Sequence, residues 1–102
     1  MNEDKIKKYL LEILEDLKNN RMSKEMAIDK LNHNGELIEQ VVEKGVSFCI
    51  SDCFWTIKHL LEEDITNSEI KYFIDCFKNK RKYNLEEKNG VILEENQQKC
   101  KS

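Results

Sequence analysis

Apolar residues near the start of the chain recur at Ile6, Leu10, Ile13, Leu14 and Leu17, with Tyr9 beside them. Spacings of three and four place these side chains on one face of an α-helix, so the pattern predicts a first helix over 3–18. Asn2 is a suitable N-cap, and Glu3 and Asp4 suit the positive end of the helix dipole. Asn19 and Asn20 end it. A short second helix is predicted over 24–32. Ser23 is its cap, Ala27, Ile28 and Leu31 form a narrow apolar face, and Met22 and Met26 fill gaps beside that face. Asn32, His33, Asn34 and Gly35 then form a turn cluster.

From Glu36 to Asp64 the apolar residues come as Leu37/Ile38, Val41/Val42, Val46, Cys49/Ile50, Cys53/Phe54, Ile57 and Leu60/Leu61. A steady spacing of four drifts against the period of about 3.6 residues per turn, so on one straight rod the stripe would wind round the helix. Two helices with a break near Gly45 fit better, a third over 36–44 and a fourth over 46–63. Thr66-Asn67-Ser68-Glu69 fits a capping box. It opens a fifth helix over 67–82 with Ile70, Phe73, Ile74 and Phe77 as its core stripe. Asn89-Gly90 reads as a turn, Val91-Ile92-Leu93 as a short extended piece packed on the bundle, and 94–102 as a polar, frayed tail. The expected fold is all-α, a compact bundle of about five helices with a short extended or disordered C-terminal tail, forming one domain over 1–93.

Composition agrees with a helical chain. The 102 residues include no proline and three glycines, so the strongest helix breaker is missing. Hydrophobic residues make up 39% and charged residues 36%, polar but patterned enough to fold. The net charge of −3 disfavours nucleic acid as the main partner and is compatible with a basic protein. No apolar run approaches a signal-peptide core or a membrane span, so cytoplasm is the expected compartment and no membrane is expected as a partner. The cysteines, Cys49, Cys53, Cys76 and Cys100, show no CxxC spacing. Cys49 and Cys53 lie one helical turn apart and read as small buried apolar residues, with a redox-sensitive thiol as the other reading. The histidines are His33 and His59. His59 falls on the other face of the fourth helix, so a metal site and a cofactor are not expected.

The fourth helix carries the candidate chemistry. With Val46, Ile50, Cys53, Ile57 and Leu61 facing the core, the opposite face holds Phe48, Ser51, Asp52, Trp55, His59 and Glu62. Two large aromatics there have two readings. Either the helix is central and covered all round, or Trp55 and Phe48 form an exposed patch rimmed by acid, the chemistry of an anchor in a protein interface. Glu62, Glu63 and Asp64 sit at the helix C-terminus, the electrostatically unfavourable end. They are either a solvated run or charge kept for a basic partner, where it raises association rate and specificity. The candidate partner-binding set is Phe48, Asp52, Trp55, His59, Glu62, Glu63 and Asp64.

Other motifs are weaker. Lys78, Lys80, Arg81 and Lys82 suit a helix C-terminus more than a phosphate track. A helix-turn-helix around Gly35 fails because Lys30, Asn34 and Glu36 fall where its packed positions need apolar side chains. There is no Gly-rich phosphate loop and no activated nucleophile, so an enzyme is not expected.

The stretch from Tyr9-Leu10-Leu11 through Asn20-Arg21-Met22-Ser23-Lys24-Glu25 resembles the start of colicin-D-type bacterial immunity proteins: an amphipathic helix, a polar turn, and a second helix led by a Ser-x-Glu cap. Asp52 through Leu61, with Tyr72-Phe73 and Asp75-Cys76-Phe77, is similar to small helical immunity proteins of contact-dependent growth inhibition systems. The resemblance implies a stoichiometric inhibitor that covers the basic cleft of a toxin nuclease, often one that cleaves transfer RNA, with carboxylates standing in for RNA phosphates. It assigns no individual inhibitory residue. Two other classes stay open: a nucleic-acid-associated regulator using Lys78 to Lys82, and a homo-oligomeric bundle with Phe48, Trp55 and Tyr72 at the self-interface. A monomer or weak homo-oligomer is expected.

Overall fold

The computed structural model describes residues 2–100, with side chains as far as Leu93. Its elements are α1 (Glu3–Lys18), α2 (Lys24–His33), α3 (Gly35–Lys44), α4 (Phe48–Lys58), α5 (Asn67–Phe77) and α6 (Leu85–Cys100). The described residues are all-helical and contain no strand.

Local chemistry sets most helix starts. The Asn2, Ser23 and Thr66 side chains accept hydrogen bonds from the backbone N–H groups of Lys5, Met26 and Glu69, each satisfying a donor that the first turn leaves open. α1 and α5 end alike. Asn20 (φ 57°) and Asn79 (φ 61°) take the left-handed conformation. Arg21 N–H then donates to Asp16 O, and Lys80 N–H to Asp75 O, both at 2.8 Å, the longer bond of a Schellman motif. Gly45, at φ 110°, separates α3 from α4, as the spacing argument requires.

The core forms where α1 lies against α5, α2 and α4. Ile6, Leu10, Ile13 and Leu14 of α1 are fully buried, and Leu31, Ile50, Phe54, Ile57 and Phe73 close around them. A Cα radius of gyration of 13.5 Å is close to the value of about 13 Å for a folded chain of this length.

Four sequence expectations are corrected. The bundle has six helices, because Asn89, Gly90 and Val91-Ile92-Leu93 continue α6 and form neither a turn nor an extended piece. Asn84 Oδ1 caps the start of α6 through Glu87 N–H, and a Cβ at Gly90 would meet nothing, so this glycine is merely tolerated in an exposed helix. The polar stretch 94–102 follows α6 as far as Cys100, and residues 101 and 102 lie outside the described residues. α4 is shorter than 46–63. Ser47 N–H donates to Glu3 Oε1 on α1, and at the other end Leu60, Glu62 and Glu63 fold back in tight turns. That turn puts Leu60 in the core and leaves Leu61, expected there, 65% exposed. α5 stops at Phe77 with Lys78 as its C-cap, so Lys80, Arg81 and Lys82 lie in the connection to α6 and not in the last turn of a helix.

Candidate functional site: an acidic cavity beside α4

The C-terminal half of α4, the turn after it and the start of α5 enclose a cavity of about 240 Å³. Asp52, Trp55, Thr56, His59, Glu63, Asp64 and Glu69 line it. Five of the seven candidate residues therefore meet in one place: Asp52, Trp55, His59, Glu63 and Asp64. Residues 52, 55, 56 and 59 follow the i, i+3, i+4, i+7 spacing of one helix face. Glu63 and Asp64 arrive there because the chain turns back after Lys58.

The carboxylates differ in their surroundings. Asp52 is only half-buried, yet it is engaged inside the fold. Its Oδ2 accepts the Tyr83 hydroxyl at 2.6 Å and pairs with Lys88 Nζ, and its Oδ1 accepts Thr56 Oγ1 at 3.4 Å. It lines the cavity while these bonds tie it to Tyr83, Lys88 and Thr56. Glu69 is buried, with Oε1 at 3.1 Å from Lys88 Nζ. Burial raises its pKa, and the Lys88 charge opposes that rise. Burial alone would lower the pKa of Lys88, but the hydrogen bond and charge of Asp52, followed by Glu69, turn the shift upward, so the ammonium is held charged. Asp64, at the exposed rim, pairs with Lys24 of α2. Glu63 is exposed and has no ion-pair partner among the described residues. Among the described residues, Lys88 thus serves both Asp52 and Glu69, and four carboxylate side chains gather at the cavity.

Trp55 forms the aromatic wall. It is half-buried, in edge contact with Phe54 (ring centroids 5.0 Å apart) and beside His59 (6.0 Å). Lys58 Nζ lies 5.1 Å from its ring centroid, an established cation–π distance. The same ammonium is 3.5 Å from Glu39 on α3. Glu36, Glu39, Gln40 and Glu43 line a shallow groove there, which carries acidic surface beyond the cavity.

Phe48 and Glu62 lie apart from this site. Phe48 is 83% exposed and belongs to a separate groove of about 550 Å³ with Tyr83, Asn84, Leu85 and Glu86. Glu62 is exposed in the turn after α4 and does not line the cavity. Neither reading of this face holds whole: Phe48 is exposed, so the helix is not covered all round, and Trp55 is half-buried beside a different depression, so the two aromatics form no single patch.

Sequence reasoning missed Glu69, Tyr83 and Lys88 as parts of the site. Glu69 was legible as a capping residue only, and Tyr83 and Lys88 come from the segment 83–88, between the predicted fifth helix and the Asn89-Gly90 turn, to which no element was assigned. Among the described residues no group of His, Cys, Asp and Glu side chains is placed to hold a metal ion. No described helix is long and apolar enough to cross a membrane.

No family model, curated protein or solved structure matches the chain.

Proposed function

We propose that this chain is an immunity-type binding protein that neutralises a basic toxin domain, a nuclease by its resemblance, by receiving the toxin's Lys or Arg side chains in the acidic cavity beside α4. The observation that carries this reading is the meeting of Glu63, Asp64, Asp52 and Glu69 around a concave site walled by Trp55. Excess carboxylate charge steers a basic partner, and a half-buried indole offers its ring to a cation once that cation is partly desolvated. The acidic groove on α3 extends the same field.

The basic connection offers little to nucleic acid. Lys78 pairs with Glu15 at 3.1 Å, and Arg81 pairs with Glu87 while lying 4.5 Å from the Tyr72 ring centroid. The test is coexpression with a panel of basic nuclease toxin domains, followed by binding measured at two salt concentrations. The expected result is protection of the host and a complex whose association slows when Glu63 and Asp64 are reversed to lysine, more so at low salt. Full protection and unchanged association by the doubly reversed protein would remove the cavity rim from the reading.

One observation favours self-association as a second reading: Phe48 and Leu85, 83% and 54% exposed, share the other groove. Tyr72 cannot contribute to that interface, because it is buried inside the fold. Sedimentation of the protein and of Phe48→Ser decides it. A monomer at high concentration in both excludes the second reading.

A further inference from the structure

Lys88 reaches the cavity from behind. It belongs to α6, is 4% exposed, and places its ammonium between Asp52 and Glu69, whose carboxylates also line the cavity. The Phe73 ring centroid lies 4.9 Å from the same nitrogen. An ammonium set among two carboxylates and an aromatic ring is what a partner's lysine would find from the open side, where Trp55 supplies the ring.

The other described side chains of α6, residues 85–93, hold it lightly. The helix packs chiefly on α5. Of its described apolar residues, Leu85 and Leu93 are more than half exposed, and Val91 and Ile92 are half-buried. Lys88 is the one buried side chain among its described residues. An apolar anchor cannot be exchanged for a ligand in water, whereas an ionic one is exchangeable when another cation can reach its carboxylates. The connection before α6 is pinned apart from Asp52, because Asn84 N–H donates to the Tyr72 hydroxyl at 2.8 Å and that hydroxyl donates to Asn84 O at 3.1 Å. The helix beyond Asn84 can thus leave while its root stays attached.

We infer that Lys88 is a built-in occupant of the acidic cavity, and that a partner's cationic side chain competes with it for Asp52 and Glu69, releasing α6 from the bundle. This rests on the reading of the cavity as a cation site and adds a conformational consequence. The closed latch lowers the partner's apparent affinity by the fraction of molecules that are open. A latch open about one time in ten costs about tenfold.

The probe is an oligo-arginine peptide at low salt, followed by the emission of the single tryptophan, Trp55. In the unaltered protein, amide hydrogen exchange over 86–93 is measured with and without the peptide. The expected result is faster exchange there, with the α1 and α5 core unchanged. Bound peptide with unchanged or increased protection over 86–93, or with faster exchange across the whole core, overturns the competition. Lys88→Ala, which leaves no apolar anchor in place of the ammonium, is the second arm, with about tenfold tighter peptide binding expected. Equal or weaker binding by the folded variant also overturns the competition while leaving the cavity's cation preference standing. A peptide that changes Trp55 emission in neither protein rejects the cation site itself, and the latch with it.

Discussion

Lys88 Nζ on α6 stands 3.1 Å from Glu69 Oε1 on α5, with both residues more than nine-tenths buried. A buried pair is held by mutual need. Each charge would be costly there alone, and removing one partner leaves the other uncompensated. Lys88→Met is expected to lower stability by about 1 kcal/mol, because opening of α6 at about that cost lets water reach the stranded carboxylates, measured by urea unfolding. The double variant Lys88→Met/Glu69→Leu should recover part of that loss, because it removes the stranded charge as well. Additive losses in the double variant would contradict the pairing.

Alkaline pH tests the core as a whole. Burial pushes the Cys49 thiol up to about 12, with Cys76 adding to the rise, and burial also raises Cys53 and Cys76. The Tyr83 hydroxyl is raised by burial and by its hydrogen bond to Asp52. Lys88 is raised by its carboxylate partners against the effect of burial. All of these groups hold their protons more tightly folded than unfolded. Their contribution is fully present below the ordinary values and is lost as pH rises through the folded ones. Under reducing conditions the unfolding midpoint should fall progressively above about pH 8.5, the ordinary thiol value. Cys53→Ala should show a shallower fall. A midpoint that stays flat from about pH 8 to 10 would remove the buried thiols from the account.

Gly45 separates α3 from α4 at φ 110°, and a Cβ there would touch nothing within 4 Å. The cost of Gly45→Ala is therefore backbone strain without a clash, on the order of 1 kcal/mol. Thermal unfolding measures it. Gly90→Ala, inside exposed α6 with equal room around the added methyl, should stabilise or be neutral. The opposite ranking would place the hinge elsewhere.

Phe48 and Phe54 lie within one helix and have opposite environments, 83% and 0% exposed. Phe54→Ala should cost about 3–5 kcal/mol, while Phe48→Ser should change stability by less than about 0.5 kcal/mol. Chemical denaturation of the two variants separates them. A large loss at Phe48 would mean that its groove is filled in solution.

The single tryptophan reports on the cavity. Trp55 is half-buried between Phe54, His59 and Lys58. Its emission should be intermediate in wavelength and only partly accessible to acrylamide. Iodide should quench less than its size suggests, because the neighbouring carboxylates repel it. Glu63→Lys with Asp64→Lys should raise iodide quenching while leaving acrylamide quenching unchanged. Equal iodide quenching before and after reversal would show that these charges do not face the indole.

Much of the fold was legible in the linear pattern. The apolar stripe of α1, the caps at Asn2, Ser23 and Thr66, and the break at Gly45 all stand where the sequence places them. These features depend on residues three or four apart, so the chain specifies them before any helix meets another. Tertiary structure alone decided the rest. It turned the chain after Lys58, which exchanged Leu61 for Leu60 in the core and swung Glu63 and Asp64 onto the cavity. It separated Phe48 from Trp55 and drew Asp52 inward to Lys88, thirty-six positions away. An ion pair across that distance has no periodicity and no local cap to announce it. It is held by the partners gathered around it, the Tyr83 hydroxyl on Asp52 and the Glu69 carboxylate beside Lys88, which only the assembled helices bring together.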